Sequence, residues 1–214
     1  MQTKNLKVHG TSSARPEARK EEIGPKARRM LILASASPRR RALLEEHGYG
    51  FEVRVPSGVE EIAPAHLSPG ETVLANARAK ARACTVKHPE EIVLGVDTEV
   101  FFAGRVLGKP ADMDAAFAML RRLNGRTHEA YSGVWIAGRG RARGFVEVTS
   151  VRFHRHTDAE LKRYLARIHP LDKAGAYSAQ EDRGEMIASV AGSFSNVIGL
   201  PMERLREELR GFGI

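Results

Sequence analysis

Five polar segments carry the residue types that handle a polyphosphate: SASPRR at 35–40, Glu60-Glu61, Asp97-Thr98, GKP at 108–110 and DKAGAYSAQ at 172–180. Their arginines and lysines can meet phosphate oxygens, and their carboxylates can hold a metal or a water. The amide of Gln180 and the small residues around it remain for a base. Carboxylates next to a triphosphate call for Mg²⁺, which prefers oxygen ligands and keeps several waters. The densest segment is also the oddest. Arg39-Arg40-Arg41 follows Ser37-Pro38, an N-cap and first-turn signature. Cations in a helix's first turn are unfavourable by about 0.3–1 kcal/mol each, because that end already carries partial positive charge. An anion resolves the conflict, since a helix N-terminus is a phosphate site and arginine adds a planar fork for phosphate oxygens. The Gly-x4-Gly-Lys-Ser/Thr loop is absent, so this is a different cradle from the Walker type.

These segments need elements to position them. Leu31-Ile32-Leu33-Ala34 reads as a buried strand feeding the helix that Gly48 ends, and residues 51–55 alternate as a second strand. Ser68-Pro69-Gly70-Glu71 is a capping box, and its helix runs to about Cys84. Val73, Ala77, Lys80 and Cys84 share one stripe of it, so Lys80 either snorkels to the edge or reaches an anion in the cleft. A buried strand at 92–96 ends at Asp97-Thr98, and ligands of α/β sheets gather at such carboxyl ends. A hairpin turning at Ala103-Gly104-Arg105 then delivers Lys109. A helix starts at Asp112. Strands at 131–137 and 145–153 flank a flexible basic loop, GRGRARG at 138–144. A second capping box opens at Thr157, a strand covers 186–190, residues 192–196 form a polar loop, and a closing helix begins at Leu200-Pro201. Strands alternating with helices, plus hairpins, predict an α/β fold with a mixed sheet.

The 214 residues are 42% hydrophobic and 28% charged, as in ordinary globular proteins. No apolar run suits a membrane span and no signal-peptide core is present, so a cytoplasmic protein without a membrane partner is expected. The single cysteine, Cys84, reads as a small core residue. The net charge of +8 is uneven: residues 1–30 hold eight Lys/Arg against three Asp/Glu, while the rest holds 26 against 23. Residues 1–29 are expected to be a disordered basic extension, with 30–214 the folded unit. A mildly basic body suits a small anionic ligand better than a nucleic acid, and aromatics are only 6%.

In order along the chain, LASxSPRR, DT after a buried strand, LGKP, KAGAYxxQ and GSxSNVxGLP closely resemble the motifs of the Maf family of nucleoside triphosphate pyrophosphatases. The resemblance covers about residues 30–213. It implies an elongated mixed β-sheet with flanking helices, in two lobes around a nucleotide cleft, as in Maf and ITPase-like folds. It implies hydrolysis between the α and β phosphates, a divalent cation (Mg²⁺ or Mn²⁺) and a homodimer. By resemblance Asp97 is the base or metal-linked carboxylate, and Glu61 its acidic companion. Ser35 and Arg40 hold phosphates, and Lys80 and Lys109 match the family's two lysines. Arg39, Thr98 and Gln180 look like the branch acting on dTTP and UTP. Gln180 carries the donors and acceptor that suit a uracil or thymine edge.

Two departures from the pattern stand out. Glu99 replaces an apolar residue and is expected to point to solvent. Glu181-Asp182 puts charge where a glycine usually follows the glutamine. Two other functions stay open on the sequence: a non-catalytic nucleotide-binding regulator of septum formation, and a nucleic-acid binder using the basic tail.

Overall fold

The apolar runs pair into one seven-stranded mixed sheet in a computed structural model, described here for residues 30–62, 66–84 and 86–214. The extension expected at 1–29 lies outside the described residues. The strands are β1 (Met30–Leu33), β2 (Phe51–Val53), β3 (Glu91–Phe102), β4 (Arg105–Leu107), β5 (Thr127–Gly138), β6 (Arg141–Phe153) and β7 (Ile187–Ala191). Their order is β2-β1-β3-β5-β6-β7, with β4 on the edge of β3. β1 is parallel to β2 and β3, and the other pairs are antiparallel. The helices are α1 (Pro38–Glu46), α2 (Pro69–Ala83), α3 (Met113–Leu123), α4 (Asp158–Arg167), α5 (Phe194–Ile198) and α6 (Met202–Phe212).

The β1–β3 pairing stops at Leu33 with Leu94, and β4 joins β3 only from Val100. Between those points β3 is bonded on one side alone, through Asp97 opposite Gly133, Thr98 opposite Ser132 and Glu99 opposite Tyr131. The strand therefore does not end at Asp97, as its apolar run suggests. It spans twelve residues in all, to Phe102, because β5 holds one edge of its backbone while polar residues lie along the open edge. The same gap separates two cores. Val96 packs with Leu31, Leu44, Leu94 and Leu205 in one, and Val100 packs with Leu120, Phe153, Leu161 and Tyr164 in the other. Each lobe thus has its own core, and the long strands β3, β5 and β6 run through both.

Both predicted capping boxes are present, at Ser68 with Glu71 and at Thr157 with Glu160. Two loop expectations are corrected. Most of GRGRARG is strand, since β5 and β6 meet through Arg139-Gly140 alone, at φ 55° and 75°. Positive φ at both turn positions matches the twist of a tight hairpin. Residues 192–196 are not all loop either: Ser193 caps α5 by accepting from the Asn196 N–H. Gly95 and Gly133 explain how α2 sits. A Cβ on either would lie 2.2 Å from the carbonyl oxygens of Ala77 and Val73, respectively, so the helix rests directly on β3 and β5. Cys84 is buried, as expected. Among the described residues no helix is long and apolar enough to cross a membrane.

In the second lobe His128 is buried, with Nε2 3.1 Å from the Tyr177 hydroxyl and its ring edge-on to Phe153. Burial pushes its pKa down to about 4. The unfolded chain, near the ordinary 6.5, binds the proton first as pH falls. Stability from this residue is therefore full above about pH 6.5 and is lost towards pH 4. Urea unfolding between pH 7 and 5 should show a shallower pH slope for His128→Gln than for wild type. Equal slopes would contradict a neutral, buried imidazole.

Candidate active site

The unpaired stretch of β3 opens into a cavity of about 720 Å³. It is lined by the mouth of α1, the loop carrying Glu61, the turn carrying Lys109, and the segment 172–179. Of the residues singled out in the sequence, Ser35, Arg39, Arg40, Glu61, Lys80, Asp97, Thr98 and Lys109 all line it. The cavity wraps around the free edge of β3, so side chains from both faces of the strand reach one space.

On one face stands Asp97, 3% exposed. The Lys80 ammonium donates to its Oδ1 at 2.6 Å, and the Asn76 amide donates to its Oδ2 at 3.1 Å. Lys80 also lies 2.7 Å from Glu61 Oε1. Burial works against ionisation of Glu61, but the hydrogen bond and charge of Lys80 prevail and hold its carboxyl below the usual range. Lys80 thus reaches into the cleft from an otherwise apolar stripe. Asn76 is a site residue that motif reading passed over. Its Oδ1 accepts from the Ile62 N–H and its amide also donates to the Ile62 carbonyl, at 2.9 and 3.0 Å. It fastens the loop bearing Glu61 to Asp97. Its signal was a lone amide one turn before Lys80, beside Val73 and Ala77 on the apolar face.

On the other face Arg40 binds three oxygens. Nε donates to the Gly199 carbonyl at 3.0 Å, Nη1 to Ser35 Oγ at 3.0 Å and Nη2 to Thr98 Oγ1 at 3.1 Å. Withdrawal from water lowers its pKa to about 10, partly offset by Asp97, so it is cationic at neutral pH. Thr98 Oγ1 also meets Ser132 Oγ at 2.8 Å. Ser37 makes no side-chain cap bond to α1, which leaves first-turn N–H groups for an anion. Arg39 bridges the lobes by donating to Asp172 Oδ2 at 2.8 Å. Lys173 reinforces that carboxylate at 2.8 Å.

One expectation is corrected, and one singled-out residue stands apart from the rest. Glu99 does not point to open solvent: it lines the cavity, and its Oε2 is buried with no hydrogen-bond partner among the described residues. Burial, then the charges of Asp97 and Glu61, push its pKa up to about 7. Gln180 is exposed and lies outside this cavity, bordering a smaller one with Arg167 and Glu181. The Tyr164 hydroxyl accepts the Ser178 N–H, and Ser178 Oγ donates to Glu181 Oε1. These bonds turn the chain outward just after Ala179, so Ser178 and Ala179 line the cavity and Gln180 does not.

An unpartnered carboxylate among other acids is destabilising when ionised. Its raised pKa costs nothing below about pH 4.5, grows with pH, and is complete above about pH 7. Glu99→Val should therefore stabilise the fold by about 1–3 kcal/mol at pH 8, with little gain at pH 4.5. Thermal unfolding at the two pH values checks this, and destabilisation at pH 8 would contradict it.

The donor set suits a hard divalent cation. Glu61 and Asp97 present carboxylate oxygens across a gap that one ammonium nitrogen now spans. Among the described residues no group of three His, Cys, Asp or Glu side chains could hold a metal ion. Two carboxylates completed by waters and phosphate oxygens is the usual Mg²⁺ arrangement.

The family described as Maf-like protein matches residues 30–212. Proteins named dTTP/UTP pyrophosphatase from Bacillus cereus (strain B4264) and Bacillus anthracis are each 43% identical over 186 residues, covering 87% of this chain and 97% of theirs. The solved structure of the Staphylococcus aureus Ham1 protein aligns at 16% identity over 85% of this chain and 98% of its own, with a TM-score of 0.47.

Proposed function

The chain belongs to the Maf family, and from that premise we propose that it is a nucleoside triphosphate pyrophosphatase acting on dTTP and UTP. The products are the monophosphate and pyrophosphate. The observation that carries this reading is the single cavity shared by Asp97, Arg40, Lys80 and Lys109. A carboxylate able to handle water and cations able to hold a polyphosphate are useful only where both reach one ligand.

The triphosphate lies against the mouth of α1, where first-turn N–H groups, the free donors of Arg40, and Lys109 offset its charge. Phosphoryl chemistry asks a protein mainly to position groups and stabilise charge. Asp97, held by Asn76, orients a water in line with the α-phosphorus and accepts its proton. The new P–O bond forms as the bond to the bridging oxygen breaks, and that oxygen leaves with pyrophosphate. Glu61 and Asp97 would hold a divalent cation, Mg²⁺ or Mn²⁺, which when bound supplies charge neutralisation and polarises phosphate oxygen. Ser178 and Ala179 line the cavity at the end of the 172–179 segment, and Gln180, next along the chain, carries the amide that suits a uracil or thymine edge. A cytoplasmic homodimer remains part of the reading, and light scattering in solution tests the dimer.

The test is pyrophosphate release from each nucleoside triphosphate with Mg²⁺ or Mn²⁺. Release from UTP and dTTP well above release from ATP and GTP supports the reading. Binding of UTP without release would favour the regulator instead.

A further inference from the structure

Lys80 stands where two carboxylates converge. Its nitrogen is 2.7 Å from Glu61 Oε1 and 2.6 Å from Asp97 Oδ1, and its side chain is 14% exposed. An ammonium has three N–H donors, and these two oxygens take two of them. A divalent cation binds the same oxygens at about 2.0–2.1 Å if it is Mg²⁺. The two cannot share the gap, because the carboxylates cannot close on a metal with a nitrogen between them.

The charge of the cavity points the same way. Among the described lining residues, Arg39, Arg40, Lys80, Lys109 and Lys173 face Glu61, Asp97, Glu99 and Asp172. Even with Glu99 only partly ionised at neutral pH, the carboxylates answer most of the five cations and leave little surplus for a triphosphate, which brings several negative charges. Nor do they leave the strong negative field that would draw a bare divalent ion.

We propose that Lys80 is the resident occupant of the cation position. In the nucleotide-free enzyme its ammonium holds Glu61 and Asp97 together, and the divalent ion enters with the nucleotide. Lys80 then moves from the carboxylates to a phosphate oxygen. It is a positioning residue before substrate binds and a phosphate ligand afterwards. This rests on the metal-assisted reading above and adds an order of binding to it.

The test is Mn²⁺ titration of the full-length chain without nucleotide, following the free-ion signal by electron paramagnetic resonance. Lys80→Gln and Lys80→Met should bind Mn²⁺ at least tenfold more tightly than wild type. Lys80→Arg, which keeps a cation there, should stay within about threefold of wild type. If the two neutral variants bind Mn²⁺ no more tightly than wild type, the proposal is wrong. A second arm uses wild type alone and does not depend on any variant folding. With the Mn²⁺ chelated by α,β-methylene-UTP alone measured separately and subtracted, its addition should raise the protein's Mn²⁺ affinity at least tenfold, and an unchanged affinity overturns the proposal. Wild type that releases pyrophosphate from UTP yet fails these titrations refutes only the role of Lys80. Wild type that releases none refutes the pyrophosphatase reading itself.

Discussion

Asp97→Asn is expected to lower turnover of UTP by at least about a thousandfold while leaving the fold in place. General-base contributions alone are about a hundred- to ten-thousandfold, and loss of a metal-holding oxygen adds to them. Asparagine has the same shape, and its oxygen can still accept from Asn76 or Lys80. Lys80 also keeps Glu61 as an ionic partner at 2.7 Å. The thermal midpoint should therefore move by only a few degrees, and the affinity for α,β-methylene-UTP should change much less than kcat. Steady-state pyrophosphate release, with calorimetry of the same preparation, checks both halves. Near-normal turnover would remove Asp97 from the chemistry. A collapsed midpoint would make its main role structural.

Arg40→Ala should cost both stability and activity. The guanidinium joins the α1 mouth to β3 and to the Gly199 turn, through Ser35, Thr98 and the Gly199 carbonyl. Its removal leaves three acceptors to find water in a half-buried place, at about 1 kcal/mol or more each. The expected loss is about 3 kcal/mol, or roughly 6–12 °C for a domain of this size. Turnover should fall by about a hundredfold or more, since the phosphate loses a planar donor pair. Arg40→Lys separates the effects. It restores the charge without the fork, so it should recover part of the activity and little of the stability. Urea unfolding and UTP kinetics on both variants measure this, and a stable, active Arg40→Ala would show that neither role exists.

Local chemistry was legible in the residues. Capping at Ser68 and Thr157, the buried runs of β1 and β3, and the cation-rich first turn of α1 all follow from short-range rules, because a cap or an apolar run is decided within a few residues. Gly138 to Gly144 misled because flexible, charged residues look like a loop, whereas two positive-φ positions suffice to turn the chain and the ladder claims the rest. The placement of Gln180 was not legible, because its motif spacing says nothing of where Tyr164 and Glu181 pull the nearby Ser178.

By itself the chain order determined an α/β protein with arginines at a helix mouth, an acid after a buried strand and lysines near both, because each of these is a matter of residue type and local period. Only the tertiary structure decided that they meet. β1 leaves β3 at Leu94 and β4 arrives at Val100, so both faces of the strand open onto one cavity there. Register between distant strands, and the approach of α2 allowed by two glycines, set the partners of Asp97 and Lys80 and the burial of Glu99. Those contacts join residues far apart in sequence, and no local preference encodes them.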